Sequence, residues 1–187
     1  NLNIIYEDND IIAIDKPAGI AVHSIDGKKH NDNFTIAKLL QSYYPAISNV
    51  GDPSSASGQG IPRPGIVHRL DKETSGVMVV AKNNETFFEL KKQFQERKVD
   101  KRYIALVSGK LEKDEGIIEI PLVKLATRTI SGRPPLKGGK KPARQAITQY
   151  KALKRYKDYT LVEVAPKTGR QHQIRVHFAS NNHPVAC

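Results

Sequence analysis

Apolar residues recur along this chain mainly at the spacing of strands. Residues 3–7 and 11–15 read as two strands around the polar Asp8-Asn9-Asp10, the pattern of a hairpin. Residues 77–81, Val-Met-Val-Val-Ala, form an unbroken apolar run rich in β-branched side chains and predict a buried strand. Further strands are expected over 103–107, 117–120, 146–153 and 159–164. Helical spacing is confined to three places. Residues 34–44 predict a helix stopped by Pro45, and Phe87, Leu90 and Phe94 predict another, capped at Asn83 or Asn84 and running to Arg97. The third follows Gly169, where Thr168 is a candidate N-cap and Ile174 and Phe178 form an i, i+4 apolar pair. Residues 48–64 are rich in Ser, Gly and Pro and read as a loop. Strands in runs with few helices between them predict an α+β fold with a largely antiparallel sheet. At 187 residues, one domain over 1–187 is expected.

Charge changes the picture. Thirty Lys and Arg stand against nineteen Asp and Glu, a net charge of +11. Residues 124–157 hold eleven basic residues and no acidic one, so the whole excess lies in one block. Within it Arg133, Lys137, Lys140, Lys141 and Arg144 are spaced by Pro134, Pro135, Gly138, Gly139 and Pro142, which predicts an extended basic loop. Such a loop can follow a phosphate backbone and release counterions, and this points to RNA as partner. A solubilising loop is the plainer reading. A membrane surface fits less well, because the block has no apolar face to insert. No apolar run is long enough to span a bilayer, and no signal-peptide pattern is present. The single cysteine, Cys187, has no internal partner, which fits a reducing cytoplasm.

Candidate chemistry gathers in two segments. The first is His68-Arg69-Leu70-Asp71-Lys72-Glu73-Thr74-Ser75-Gly76, which runs into the apolar strand at 77–81. A carboxylate beside a rigid strand is suited to catalysis, because its position must be held closely, and Asp71 is the candidate reactive group. The same residues also favour a simple turn. The second segment is Pro166-Lys167-Thr168-Gly169-Arg170-Gln171-His172-Gln173-Ile174-Arg175-Val176-His177-Phe178. On a helix starting after Gly169, Gln171, His172 and Arg175 would share one cationic face. An arginine of that face aimed at Asp71 would favour the ionised acid, which suits a nucleophile or base. A solvated helix face is the alternative. With one cysteine and no His pair at i, i+4, the composition gives no zinc motif and no metal is expected.

Together the two segments resemble the signature motifs of the RluA-type RNA pseudouridine synthases, His-Arg-Leu-Asp-x-x-Thr-Ser-Gly and Thr-Gly-Arg-x-His-Gln-x-Arg. Asp15-Lys16-Pro17-Ala18-Gly19, Gln93-Phe94 with Lys101-Arg102-Tyr103-Ile104-Ala105, and Asn182-His183-Pro184 agree as well, so the resemblance covers nearly the whole chain. It implies a pseudouridine synthase-like catalytic domain, with a mixed central sheet in two halves, flanking helices and an active-site cleft. It also implies isomerisation of a uridine within RNA: the base–sugar bond breaks, the base turns, and it rejoins through carbon 5, without a cofactor. By position, the resemblance makes Asp71 the catalytic acid, acting on the anomeric carbon or on the proton at sugar carbon 2. Tyr103 matches the tyrosine that packs on the target base, and Arg175 the arginine that pairs with the acid. Arg69 matches a residue that fills the gap left by a flipped base. His68, Arg170, His172 and Lys101 are carried over as RNA-facing residues of the site wall.

The resemblance further implies ribosomal RNA as substrate ahead of transfer RNA; nothing in the sequence demands a partner subunit, so a monomer is expected, and the lone cysteine favours a cytoplasmic location. Many members carry a separate N-terminal RNA-binding domain, and the family usually continues past the Asn-His-Pro segment. The expectation here is a catalytic domain without the former and shortened at its C-terminus. An RNA-binding or ribosome-assembly factor that has lost catalysis is the rival reading. A glycosidase using Asp71 with Glu73 as paired carboxylates is a third.

Overall fold

Alternating apolar residues set the first sheet. The computed structural model describes residues 2–23, 34–52, 63–124, 129–131 and 142–186, and its contacts divide the chain into two compact units, Asn1–Lys98 and Val99–Cys187. In the first unit, β1 (Ile4–Glu7) and β2 (Ile11–Lys16) form the expected hairpin, and β3 (Gly76–Ala81) pairs antiparallel with β2. Ile12 and Ile14 point inward from β2 and meet Met78 and Val80 of β3 across the register, all four fully buried. Each such side chain contributes roughly 1.5–3 kcal/mol when taken out of water. Helix α1 (Ile36–Tyr43) adds Ile36, Ala37 and Leu40 to the core. Thr35 caps it, accepting from the Lys38 N–H, and a 3-10 turn begins at Pro45. Helix α2 (Asn84–Gln95) packs on β3, with Asn83 as its cap through the Thr86 N–H at 2.9 Å.

The second unit is a four-stranded antiparallel sheet in the order β4 (Tyr103–Ser108), β9 (Tyr159–Pro166), β8 (Ile147–Arg155), β5 (Glu115–Glu119). Strand β9 alternates strictly, with Thr160, Val162, Val164 and Pro166 facing the core. Phe178 of helix α3 (Gln173–Ser180) packs there with Val107, Leu111, Ile118, Val162 and Val164, flanked by Tyr103, Tyr150 and Ile174. Residues 184–186 lie along β4, where Ser108 N–H donates to the Pro184 carbonyl and Ala186 N–H to that of Leu106, both at 2.8 Å. A ribbon of β6 (Leu122–Lys124) and β7 (Thr129–Ser131) completes the unit; strands this short leave too little periodicity to be read from sequence.

Among the described residues, antiparallel sheets with three α-helices make this an α+β fold. The expected mixed sheet is antiparallel in every pair of named strands, and among the described residues a parallel bridge joins Ala21 and Thr35. Among the described residues no helix is long and apolar enough to cross a membrane. Of the basic loop, Arg133, Lys137, Lys140 and Lys141 lie outside the described residues. Arg144 pairs through its backbone with Leu122, both bonds at 2.9 Å.

His177 ties α3 to the end of β5. Its Nε2–H donates to the Ile120 carbonyl at 3.0 Å, and among the described residues its buried Nδ1 has no hydrogen-bond partner. Burial holds its pKa below the usual histidine value, against the opposing pull of the Ile120 bond. The folded state therefore favours the neutral ring, so this stabilisation is complete above about pH 6.5 and declines as pH falls below it. Between pH 7 and 5.5 the wild type should lose up to about 1.4 kcal/mol per pH unit more than His177→Gln, which keeps a donor for Ile120. Urea unfolding at the two pH values tests this, and parallel curves for the two proteins would contradict it.

Candidate active site

Asp71 stands in a turn, five residues ahead of β3, and not on the strand itself. The rigidity expected from the strand comes instead from hydrogen bonds to the turn's backbone. Thr74 N–H donates to the Asp71 carbonyl at 3.1 Å, and the Lys72 carbonyl accepts from Gly19 N–H at 2.9 Å and from Lys16 Nζ at 3.0 Å. Lys16 also donates to the carbonyls of Pro17 at 2.7 Å and Ile20 at 2.8 Å, so all three ammonium protons are used. The Asp71 turn is thereby clipped to the turn that follows β2.

Lys16 is fully buried. Burial lowers its pKa, while the carboxylates of Glu73 and Asp71 act in the opposite sense. The sequence carried a signal for this placement: in β2 the inward positions are 12, 14 and therefore 16. Lys16→Met fits the space but leaves the Pro17 and Ile20 carbonyls without their donor. We expect a loss of about 2–4 kcal/mol in unfolding free energy. A variant as stable as wild type in thermal and urea unfolding would show that these bonds hold little.

Upstream of Asp71 the chain is fixed as firmly. Gly65 has a φ of +68°, and a Cβ there would overlap the Ala81 carbonyl oxygen and the Ile47 side chain, so only glycine fits. Val79 N–H donates to His68 Nε2 at 3.0 Å, and the His68 ring stacks on Phe94 with centroids 4.6 Å apart. These contacts tie His68 to β3 and α2. Leu70 is buried, while Arg69 between them is exposed and bonded to His23.

The second unit holds the other motif residues. Tyr103 opens β4 on its core-facing side, half-buried against the cluster around Phe178. Lys101 Nζ lies 3.8 Å from where a Cβ on Gly169 would stand, so Lys101 adjoins the loop that carries Arg170. Arg170 Nε donates to the Gln145 carbonyl at 3.1 Å.

Helix α3 begins later than expected. His172 is its N-cap residue in a left-handed conformation, φ 54°, and Gln171 precedes the helix. Only Arg175 of the three expected face residues lies within the helix, where it is half-buried. Thr168 is not the cap. Its hydroxyl donates to Gln173 Oε1 at 2.7 Å and accepts from Ile147 N–H at 3.0 Å.

Gln173 supplies what the cap does not. Its Oε1 also accepts from Arg170 N–H at 3.0 Å, and its Nε2 donates to the Ile147 carbonyl at 3.0 Å and the Thr148 hydroxyl at 2.9 Å. This buried amide pins residues 168–170 and the start of α3 to the first residues of β8. Among the described residues no group of three or more His, Cys, Asp or Glu is placed to hold a metal ion.

The model of the RNA pseudouridylate synthase family matches residues 10–180. The chain belongs to that family. A pseudouridine synthase of Aquifex aeolicus, named as uncharacterized, is 45% identical across 98% of this chain and 54% of its own length. The ribosomal large subunit pseudouridine synthase D of Nitrosomonas europaea is 42% identical across 99% of this chain and 48% of its own. The chain thus spans about half the length of the curated relatives it matches. Among solved structures, human RNA pseudouridylate synthase domain containing 4 superposes with a TM-score of 0.75 at 27% identity, over 98% of this chain and 66% of that one. Two of the family's motifs carry the structural supports described above: Lys16 and Gly19 hold the Asp71 turn, and Gln173 holds the Arg170 loop and the start of α3. Neither Lys16 nor Gln173 stood among the candidate site residues from sequence.

Proposed function

We propose that this chain is the catalytic domain, residues 1–187, of an RNA pseudouridine synthase acting on a uridine of large-subunit ribosomal RNA, with Asp71 as nucleophile or base. The observation that carries the reading is the construction around Asp71. A buried lysine and the Gly19 N–H hold the turn's backbone through the Lys72 carbonyl. A preorganised acid of this kind needs no cofactor to begin glycosidic cleavage. Tyr103 and Arg175 hold the motif positions of the family's base-packing tyrosine and acid-pairing arginine, and we assign them those roles on that ground. Lys101, Arg170, His172 and the basic block through Arg144 serve the RNA strand. Ribosomal RNA takes precedence over transfer RNA because the similar Nitrosomonas protein is named for the large ribosomal subunit. Cytoplasmic location and a monomeric state complete the proposal.

The test is pseudouridine content in unmodified ribosomal and transfer RNA transcripts after incubation with the protein, read position by position by carbodiimide labelling. One new site in the large-subunit transcript is expected. A site only in transfer RNA would replace the substrate and leave the chemistry. RNA binding without any new site, by a folded protein, would favour a binding factor that has lost catalysis.

A further inference from the structure

Arg69 stands two residues before Asp71, and although its side chain is exposed, one end is held. Its Nη1 lies 3.1 Å from Nε2 of His23. A guanidinium only donates, so His23 Nε2 must be the acceptor and the imidazole must be the neutral tautomer with its proton on Nδ1. His23 is 9% exposed, so the acceptor is set in the protein body beneath an exposed cation.

Both partners stand on fixed backbone. The carbonyls of Ala21 and Val22, next to His23, accept from the first N–H groups of α1, Ile36 at 3.0 Å and Ala37 at 2.9 Å. Arg69 lies between buried Leu70 and His68, itself held by Val79 and Phe94. A pocket is lined by His23, Arg63, Ile66, Val67, His68 and Arg69, with no acid among these six. His68 Nε2 accepts a backbone N–H, as His23 Nε2 accepts from Arg69, so the positive charge of the pocket comes from the two arginines.

We infer that His23 is a positioning residue, whose Nε2 aims the Arg69 guanidinium across this pocket before RNA arrives. This rests on the RNA-modifying reading and deepens it, by naming what directs the cation beside the catalytic turn. A free arginine side chain loses conformational entropy when it is ordered on binding; one already held by His23 loses less. His23 itself makes no contact with RNA.

A double-mutant cycle tests the inference, with an unmodified large-subunit ribosomal RNA transcript as probe. His23→Leu should weaken binding about 3- to 10-fold in the otherwise wild-type protein and have no further effect in an Arg69→Ala background. His23→Gln, whose side-chain carbonyl can accept from Arg69, should restore most of the affinity. Thermal unfolding of each variant shows that the comparison is among folded proteins. Equal losses in both backgrounds, no loss in either, or failure of the glutamine to rescue would overturn the inference. Pseudouridine formation is scored in parallel. Absence of turnover with the affinity pattern intact removes the proposed activity and leaves the role of His23 standing; turnover without the pattern removes the role of His23 alone.

Discussion

Asp71→Asn should reduce pseudouridine formation by roughly 10⁴-fold or more, equivalent to about 5.5 kcal/mol of transition-state stabilisation. An amide of the same shape is neither a nucleophile nor a base of useful strength, so the covalent or proton-abstracting step has no group to perform it. The turn's backbone should keep its shape. The turn is fixed through the carbonyls of Asp71 and Lys72, which accept from Thr74 N–H, Gly19 N–H and Lys16 Nζ, and none of these bonds uses the Asp71 side chain. We expect RNA affinity within about threefold of wild type and an unfolding free energy within about 1 kcal/mol. Carbodiimide mapping, filter binding and urea unfolding on one preparation separate the three quantities. Turnover near the wild-type rate would remove Asp71 from the mechanism and bring Glu73 forward.

Gln173→Leu carries the second large effect, and here stability is what falls. The amide spends all its principal hydrogen-bonding capacity: Oε1 accepts from Thr168 Oγ1 and Arg170 N–H, and Nε2 donates to the Ile147 carbonyl and Thr148 Oγ1. Leucine removes four bonds in a buried setting and leaves Arg170 N–H without that acceptor. The cost should be about 3–4 kcal/mol, or a midpoint roughly 10 °C lower in thermal unfolding. Activity at a permissive temperature should fall as well, because Arg170 and the entry to α3 lose their anchor. His172 makes the point sharper. Its left-handed backbone is uncommon for a residue with a side chain, and the Gln173 amide pins Thr168 and Arg170 just before it. A Gln173→Leu protein with unchanged midpoint would show that the helix entry is held by other contacts.

Much of the fold was legible because its signals are local. The hairpin around residues 8–10 follows from two apolar segments and an Asp-rich turn, and β9 follows from alternation alone. Asn83 declares α2 because a cap acts on an N–H three residues away. The same local rule misled at Thr168. Its hydroxyl was available to cap a helix, but the Ile147 N–H and the Gln173 amide claimed it, and α3 starts five residues later. Asp71 was legible as the reactive candidate, whereas its support was not: the motif suggested stiffness from β3, and the clip comes from Lys16 and Gly19.

Sequence by itself determined the α+β class, most strand and helix positions, the family and the candidate reactive acid, since periodicity, capping and contiguous motifs depend on residues a few positions apart. Tertiary structure alone decided which polar side chains are buried and what they hold. Lys16 meets Lys72 across 56 residues, His23 meets Arg69 across 46, and Gln173 meets Thr148 across 25. A buried donor or acceptor must find a partner wherever the folded chain brings one, and no rule of local spacing names that partner in advance.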